Sequence, residues 1–241
     1  MPWKYIIALL VVVLAGSSIL VLSAPPAAPA GGTITGKVTY TGTPPKMKPI
    51  DMSKEPVCNQ QHNPPEKTQT VVTGPGDALE YVVVYISAGD KAAGPPSAGL
   101  RYDQKGCMYT PHVIALMVGQ QLQVLNSDAT THNIHPTPTD NREWNKSQPP
   151  NAPPIVETFA RPEVAIPVKC NVHPWMKGYF AVLANPLFSV TAKDGKFEIK
   201  GVPPGTYTVE AWQEKYGVLD QTVTVAASQA ATSDFTFKAG S

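Results

Sequence analysis

Histidine and cysteine are both scarce in this 241-residue chain, at five and three residues. An oxidoreductase built on several metal ions needs several histidine-rich sites, and five imidazoles do not supply them. No Ser/His/Asp set stands out, nor any pair of carboxylates at a spacing suited to acid–base work, so the chain is not expected to be an enzyme. Charge of either sign is also sparse and nearly cancels, with 19 Lys and Arg against 18 Asp and Glu. Without a basic stripe or basic residues interleaved with aromatics, no nucleic-acid partner is expected. Beyond the first thirty residues no stretch sustains apolar spacing at helical period, which predicts little helix.

Punctuation takes the place of that period. Proline (26) and glycine (18) separate short runs rich in Val, Thr, Tyr and Ile. That is the texture of strands joined by turns, and the expected fold class is all-β. Gly32–Gly42 alternates as an opening strand. Thr43–Thr70, rich in Pro, Lys, Gln and Asn, reads as a long surface excursion. Tyr81–Ile86 is a continuous β-branched run suited to burial on both faces, and Ser87–Ser97 is a connector. Val113–Val118 and Leu122–Asn126 read as strands, followed by the polar segment Ser127–Thr131 and a Pro/Asn-rich loop over Pro136–Pro154. Strands resume at Ile155–Phe159, Val164–Val168 and Gly178–Leu183. The tail holds short strands at Phe188–Thr191, Lys196–Ile199, Thr206–Trp212, Gln221–Val225 and Asp234–Phe237, with turns at Asp194-Gly195, Pro203-Pro204-Gly205 and Tyr216-Gly217.

At the N-terminus, Lys4 precedes the apolar run Tyr5–Leu22 and the Ala/Pro-rich Ser23–Ala30. This is the pattern of a secretory signal, with Ala28-Pro29-Ala30 as the cleavage site. The run also approaches the ~20 residues that span a bilayer, so an uncleaved anchor tethering the protein to a membrane is the second reading. Either one places Gly31–Ser241 in the periplasm or outside the cell.

Chemistry concentrates in Cys170-Asn171-Val172-His173-Pro174-Trp175-Met176. A thiolate, an imidazole and a thioether lie on one tight loop between two strands. Thiolate and imidazole suit a borderline-soft metal, and the thioether favours copper over zinc. A second imidazole from a distant strand would complete a trigonal plane with a long axial sulfur. With Cys170 so employed, Cys58 and Cys107 are expected to pair in an oxidising compartment, closing a loop of ~50 residues worth roughly 4 kcal/mol on the chain-entropy model. The alternative is a second metal site using Cys58 with His62, or Cys107 with His112, though neither pair has further obvious ligands.

The C-x2-H-x2-M loop resembles the ligand loop of the cupredoxins, with the spacing of their amicyanin members. Upstream, Val118-Gly119-Gln120, Val124-Leu125-Asn126-Ser127-Asp128 and His132-Asn133-Ile134-His135 are similar to the family's strand, turn and first-ligand segments. The resemblance covers roughly Leu100–Leu183. It implies one mononuclear type 1 copper, Cu(I)/Cu(II), with His132, Cys170 and His173 equatorial and Met176 axial. It also implies that Asn133 ties the two ligand segments together, and that His135 stands outside the ligand set. Pro174 and Trp175 either pack the loop or, beside an exposed His173, form an apolar patch where a redox partner docks. Lys169 departs from the family, where an aromatic is usual, as does the long loop Pro136–Pro154.

Phe188–Phe237 resembles the carboxypeptidase regulatory-like (transthyretin-like) β-sandwich through Thr191–Ile199 and Gly201–Val209. That likeness implies a fold and no peptidase activity. Five strands close a sandwich poorly, and Gly32–Gly42 with Tyr81–Ile86 resemble the module's first two strands. The expected organisation is therefore a signal or anchor (1–30), the first sandwich strands with a long loop (31–97), an inserted copper domain (98–184) and the rest of the sandwich (185–241). The simpler alternative is two sequential domains. The expected function is one-electron carriage between a donor and an acceptor protein. The alternatives are copper carriage or storage, and a cell-envelope binding module whose copper is not redox-active.

Overall fold

The computed structural model describes residues 31–88 and 98–239. The signal or anchor expected over 1–30 and most of the expected connector lie outside them. The front of the chain supplies β1 (Gly32–Thr41), the single-turn helix α1 (Pro56–Asn59) and β2 (Val83–Ala88). The middle supplies β3 (Leu100–Lys105), β4 (Met108–Thr110), β5 (Val113–Met117), β6 (Leu122–Asn126), β7 (His132–Pro136), β8 (Lys146–Gln148), β9 (Ile155–Glu157), β10 (Glu163–Lys169) and β11 (Lys177–Leu183). The tail supplies β12 (Phe188–Val190), β13 (Lys196–Val202), β14 (Gly205–Gln213), β15 (Gly217–Val225), β16 (Ala230–Thr232) and β17 (Phe235–Lys238). The architecture is all-β, and among the described residues no helix is long and apolar enough to cross a membrane.

Strands from the front of the chain hydrogen-bond to strands of the tail. β1 runs antiparallel to β13 on one side and parallel to β16 and β17 on the other. β2 lies between β12 and β14, antiparallel to both, and β15 completes that sheet. The middle strands form two sheets of their own, in the orders β5-β11-β10-β7-β8 and β4-β3-β6-β9.

Three apolar clusters follow from strand alternation. Val82, Val84 and Ile86 face one way into a core with Ile34, Val38, Phe197, Ile199, Tyr207 and Phe235. Val83 and Tyr85 face the other way and meet Val113, Ala115, Ala181, Leu183 and Trp212. The alternate residues of the same middle strands, Ile114, Leu116, Phe180 and Val182, join the core between the two middle sheets. The continuous apolar runs thus mark strands covered on both faces, because the two β units pack against each other there.

Residues 43–70 are mostly exposed, the surface excursion their composition predicts, but they are anchored at a few points. Ile50, Met52 and Cys58 are buried in the core of the middle unit, and Met47 packs against the other core. Single apolar residues scattered among Pro, Lys and Gln carry no period, so the sequence pattern is silent about their burial. The loop expected at Pro136–Pro154 likewise contains β8, which pairs His132 with Gln148 and Asn133 with Ser147.

Candidate metal centre

The site is assembled from two turns and one loop. In the turn between β6 and β7, Asn126 Nδ2 donates to the Thr130 carbonyl at 2.9 Å while its Oδ1 accepts from Asp128 N at 3.0 Å. Such side-chain closure is what Asn brings to turns. It delivers Asp128 and, at the start of β7, His132. The second turn is the two-residue hairpin Gly106-Cys107 between β3 and β4, with φ +65° and +53°. Both values are left-handed, as a tight primed hairpin turn requires. Its consecutive N–H groups aim at one carboxylate: Gly106 N donates to Asp128 Oδ1 at 2.8 Å and Cys107 N to Oδ2 at 2.7 Å.

The third piece is the loop from Cys170 to Met176, joining β10 to β11. Cys170 N donates to the Met176 carbonyl at 3.2 Å, Met176 N to the His173 carbonyl at 2.9 Å, and His173 N to Cys170 Sγ at 3.4 Å. Asn133 Oδ1 accepts the N–H of Asn171 and stands 3.3 Å from Cys170 Sγ. Tyr109 clamps the other face of Asn133 by donating its hydroxyl to the Asn133 carbonyl at 2.7 Å.

These elements bring His132, Cys170 and His173 into one cluster, all buried, with donor atoms within 4.8 Å of one another. His132 Nδ1 lies 2.9 Å from His173 Nδ1, which lies 3.9 Å from Cys170 Sγ. Bond lengths of ~2.0 Å to nitrogen and ~2.3 Å to sulfur are compatible with both separations, which would correspond to angles of about 90° and about 130°. The donor set, two imidazoles and a thiol, would suit one small borderline-soft ion. Met176 is fully buried, and its main chain is bonded to both Cys170 and His173. The structure also brings Cys107, Asp128 and His132 together, but the Cys107 sulfur is bonded to Cys58 in a disulfide.

Hydrogen bonds set the protonation of the group. Burial works against charge on His132, but its bonds to Asp128 and Cys170 outweigh this and hold its pKa above the usual imidazole value. Burial would raise the thiol of Cys170, yet His132 and the main-chain N–H groups of Asn133, His173 and Val172 draw it below its ordinary value. His173 is pushed down by burial and then by the neighbouring His132. His132 Nε2 meets Asp128 Oδ2 at 2.9 Å, which leaves Nδ1 turned toward Cys170 and His173. An outer carboxylate on a ligating imidazole fixes ring and tautomer in this way.

His173 is 0 % exposed, so the patch expected at Pro174 and Trp175 has no exposed imidazole at its centre. The segment carrying Ile50, Met52 and Cys58 packs over this end of the middle unit, and Cys58 Sγ stands 3.8 Å from His173 Nε2. Pro174 is exposed. Trp175 is half-buried, its ring centroid 5.1 Å from that of His173 and its indole N–H donating to the Cys107 carbonyl at 3.1 Å. His135 faces Glu143 and Asn171, away from the cluster. His62 is bound to the Gly106 carbonyl, and His112 to the Lys177 carbonyl and Glu214. Sequence reasoning missed Asp128; its place four residues before a candidate ligand, in the polar turn after a strand, is the signal that would have found it.

Residues 186–238 match the model of the carboxypeptidase regulatory-like domain. No curated protein sequence matches the chain. Solved structures similar to it include a Cu-containing nitrite reductase (NirK) from Thermus scotoductus SA-01, at 20% identity over 41% of this chain and TM-score 0.33. This chain spans only 25% of that reductase. Others are the M98A mutant of amicyanin in its Cu(I) form (19% identity, 42% of this chain and 98% of that one, TM-score 0.31) and a purple cupredoxin from Nitrosopumilus maritimus (20%, 36% and 100%, TM-score 0.30). Likenesses at this level do not say which residues this chain uses.

Proposed function

We propose that this is an exported protein that would hold one type 1 (blue) copper on His132, Cys170 and His173, with Met176 as a further donor, and carry single electrons between redox partners. The observation that carries this reading is the convergence of two imidazoles and a thiol, with donor atoms within 4.8 Å of one another, in a buried cluster. Copper bound there supplies a one-electron couple whose two states accept the same soft and borderline donors.

The chain's own part is geometric and electrostatic. Asp128 accepts from Nε2 of His132, so the lone pair on Nδ1 is free for the metal. Asn133 and the loop N–H groups hold the Cys170 sulfur in place and favour its thiolate. The three donors are at most 3 % exposed, which suits electron carriage better than turnover of a substrate or release of stored metal. Electrons have a route outward through Trp175, which touches His173 and opens on a cleft of about 310 Å³ lined with Pro174, Met108 and Lys177. A donor and an acceptor protein docking over Pro174 and Trp175 complete the reading. Export accords with the disulfide, since such bonds persist in oxidising compartments.

The optical spectrum of protein refolded with Cu(II) tests the proposal. An intense blue thiolate band should appear and bleach reversibly on reduction. Cys170→Ser should abolish it, while Met176→Leu should retain copper at an altered potential. A colourless Cu(II) complex of the unaltered protein would sink the assignment.

A further inference from the structure

The disulfide does more than close a loop. One of its sulfurs, on Cys58, is the neighbour of His173 Nε2 at 3.8 Å. Its other half reaches the second imidazole: Cys107 N–H donates to Asp128 Oδ2, and the same oxygen meets His132 Nε2. A third link runs through Trp175, which lies against His173 and donates its indole N–H to the Cys107 carbonyl. Both disulfide cysteines are 0 % exposed, as are both imidazoles. An imidazole nitrogen that faces sulfur in place of water or a carbonyl lacks the usual polar outer partner of a metal-bound histidine.

We infer that the Cys58–Cys107 disulfide is a positioning element of the metal centre: it orients both imidazoles from behind and seals the edge of His173 against water. This inference rests on the ligand assignment above. Its physical content is a solvent effect. With a thiolate ligand, the oxidised centre carries one more positive charge than the reduced one, and a dry surround disfavours the more charged state. The disulfide cover therefore biases the couple toward the reduced metal. It also narrows access to the Cys170 thiol, so metal and alkylating reagents reach the site slowly.

The full chain carrying Cys58→Ser and Cys107→Ser together, which leaves no new unpaired partner for Cys170, tests this against the unaltered protein. Loaded with copper, the double variant should favour the oxidised state at least tenfold more, a midpoint lower by ~59 mV for a one-electron couple. Without metal, iodoacetamide should alkylate its Cys170 at least tenfold faster. A folded double variant with unchanged midpoint and unchanged alkylation rate would overturn the inference and leave the disulfide as a loop closure alone. If the double variant fails to fold, Trp175→Phe keeps an aromatic ring on His173 and removes only the bond to Cys107. It should shift the midpoint in the same direction by a smaller factor, and no shift would again overturn the inference. Should the unaltered protein bind no copper, the function proposed above fails. The alkylation of metal-free protein still decides whether the disulfide guards the cluster.

Discussion

Asn133 and Asn171 are joined across the site: the side-chain oxygen of the first accepts the main-chain N–H of the second at 2.5 Å. This bond is a direct tie between β7, which starts with His132, and the loop that starts with Cys170. Asn133 Nδ2 meanwhile donates to Asn145 Oδ1 at 2.6 Å, so the residue between two ligand segments is itself held from behind.

Replacing Asn133 with Ala should cost about 1–3 kcal/mol, because the Asn171 N–H and the Asn145 oxygen lose their partner in a partly buried setting. Denaturant unfolding measures that cost. Copper affinity should fall with it, since the relative position of His132 and Cys170 is no longer enforced. An unchanged affinity would show that the two segments are aligned by packing alone.

Thiol counting checks the cysteine assignment. Unfolded, metal-free protein should present one reactive thiol, that of Cys170, before reduction and three afterwards, because Cys58 and Cys107 are bonded and Cys170 is free. Three thiols without reductant would remove the disulfide from the argument.

Truncation tests how far the units depend on each other. A protein beginning at Leu100 loses β1 and β2, hence Ile34, Val38, Val82, Val84 and Ile86 from one core. Each large buried side chain is worth ~1.5–3 kcal/mol against a typical total of ~5–15 kcal/mol, so the tail sheets should not form. The isolated tail 184–241 should show no cooperative unfolding transition by circular dichroism. Should it show one, the tail closes a core by itself.

Acid should loosen the segment that follows β7. Glu163 accepts main-chain N–H groups from Thr139, Asp140 and Asn141. Partial burial raises its pKa, but these bonds and the Asn141 side chain more than offset that and hold it below the ordinary 4.5. A carboxylate depressed in the folded state stabilises above its unfolded pKa, and that contribution disappears as pH falls through the folded value. Glu163→Gln should therefore be less stable than the unaltered protein at pH 7, and the gap should narrow at pH values below 4.5. A gap that stays constant with pH would contradict the assignment.

Legibility in the sequence followed local chemistry. The loop from Cys170 to Met176 stood out because three donor types fall within one turn, and the runs at Tyr81–Ile86 and Val113–Val118 because both faces of those strands are covered. β3, β4 and β8 did not stand out. Arg101-Tyr102-Asp103-Gln104-Lys105 has one apolar residue in five, and Gln104 is fully buried with its amide donating to Gln148 Oε1 at 2.7 Å, while Gln148 in turn donates to Val124 and Pro153 carbonyls. Paired polar groups can be buried at little cost, and hydrophobic patterning is blind to them. The burial of His173 was equally invisible, since the segment that covers it lies more than a hundred residues earlier and has no apolar rhythm.

The placement of β1 sets an order of events. Lys37 N–H bonds to Asp234 across 197 residues of sequence, and β1 lies between β13 and β16–β17. Contacts of such sequence separation form late and slow a fold. As the chain is made, the residues of β3–β11 all precede those of β13, β16 and β17, so β1 waits for the partners of both its edges. The residues of the donor cluster are thus made ahead of the tail strands, and until those strands arrive β1 is an open template for pairing with another copy.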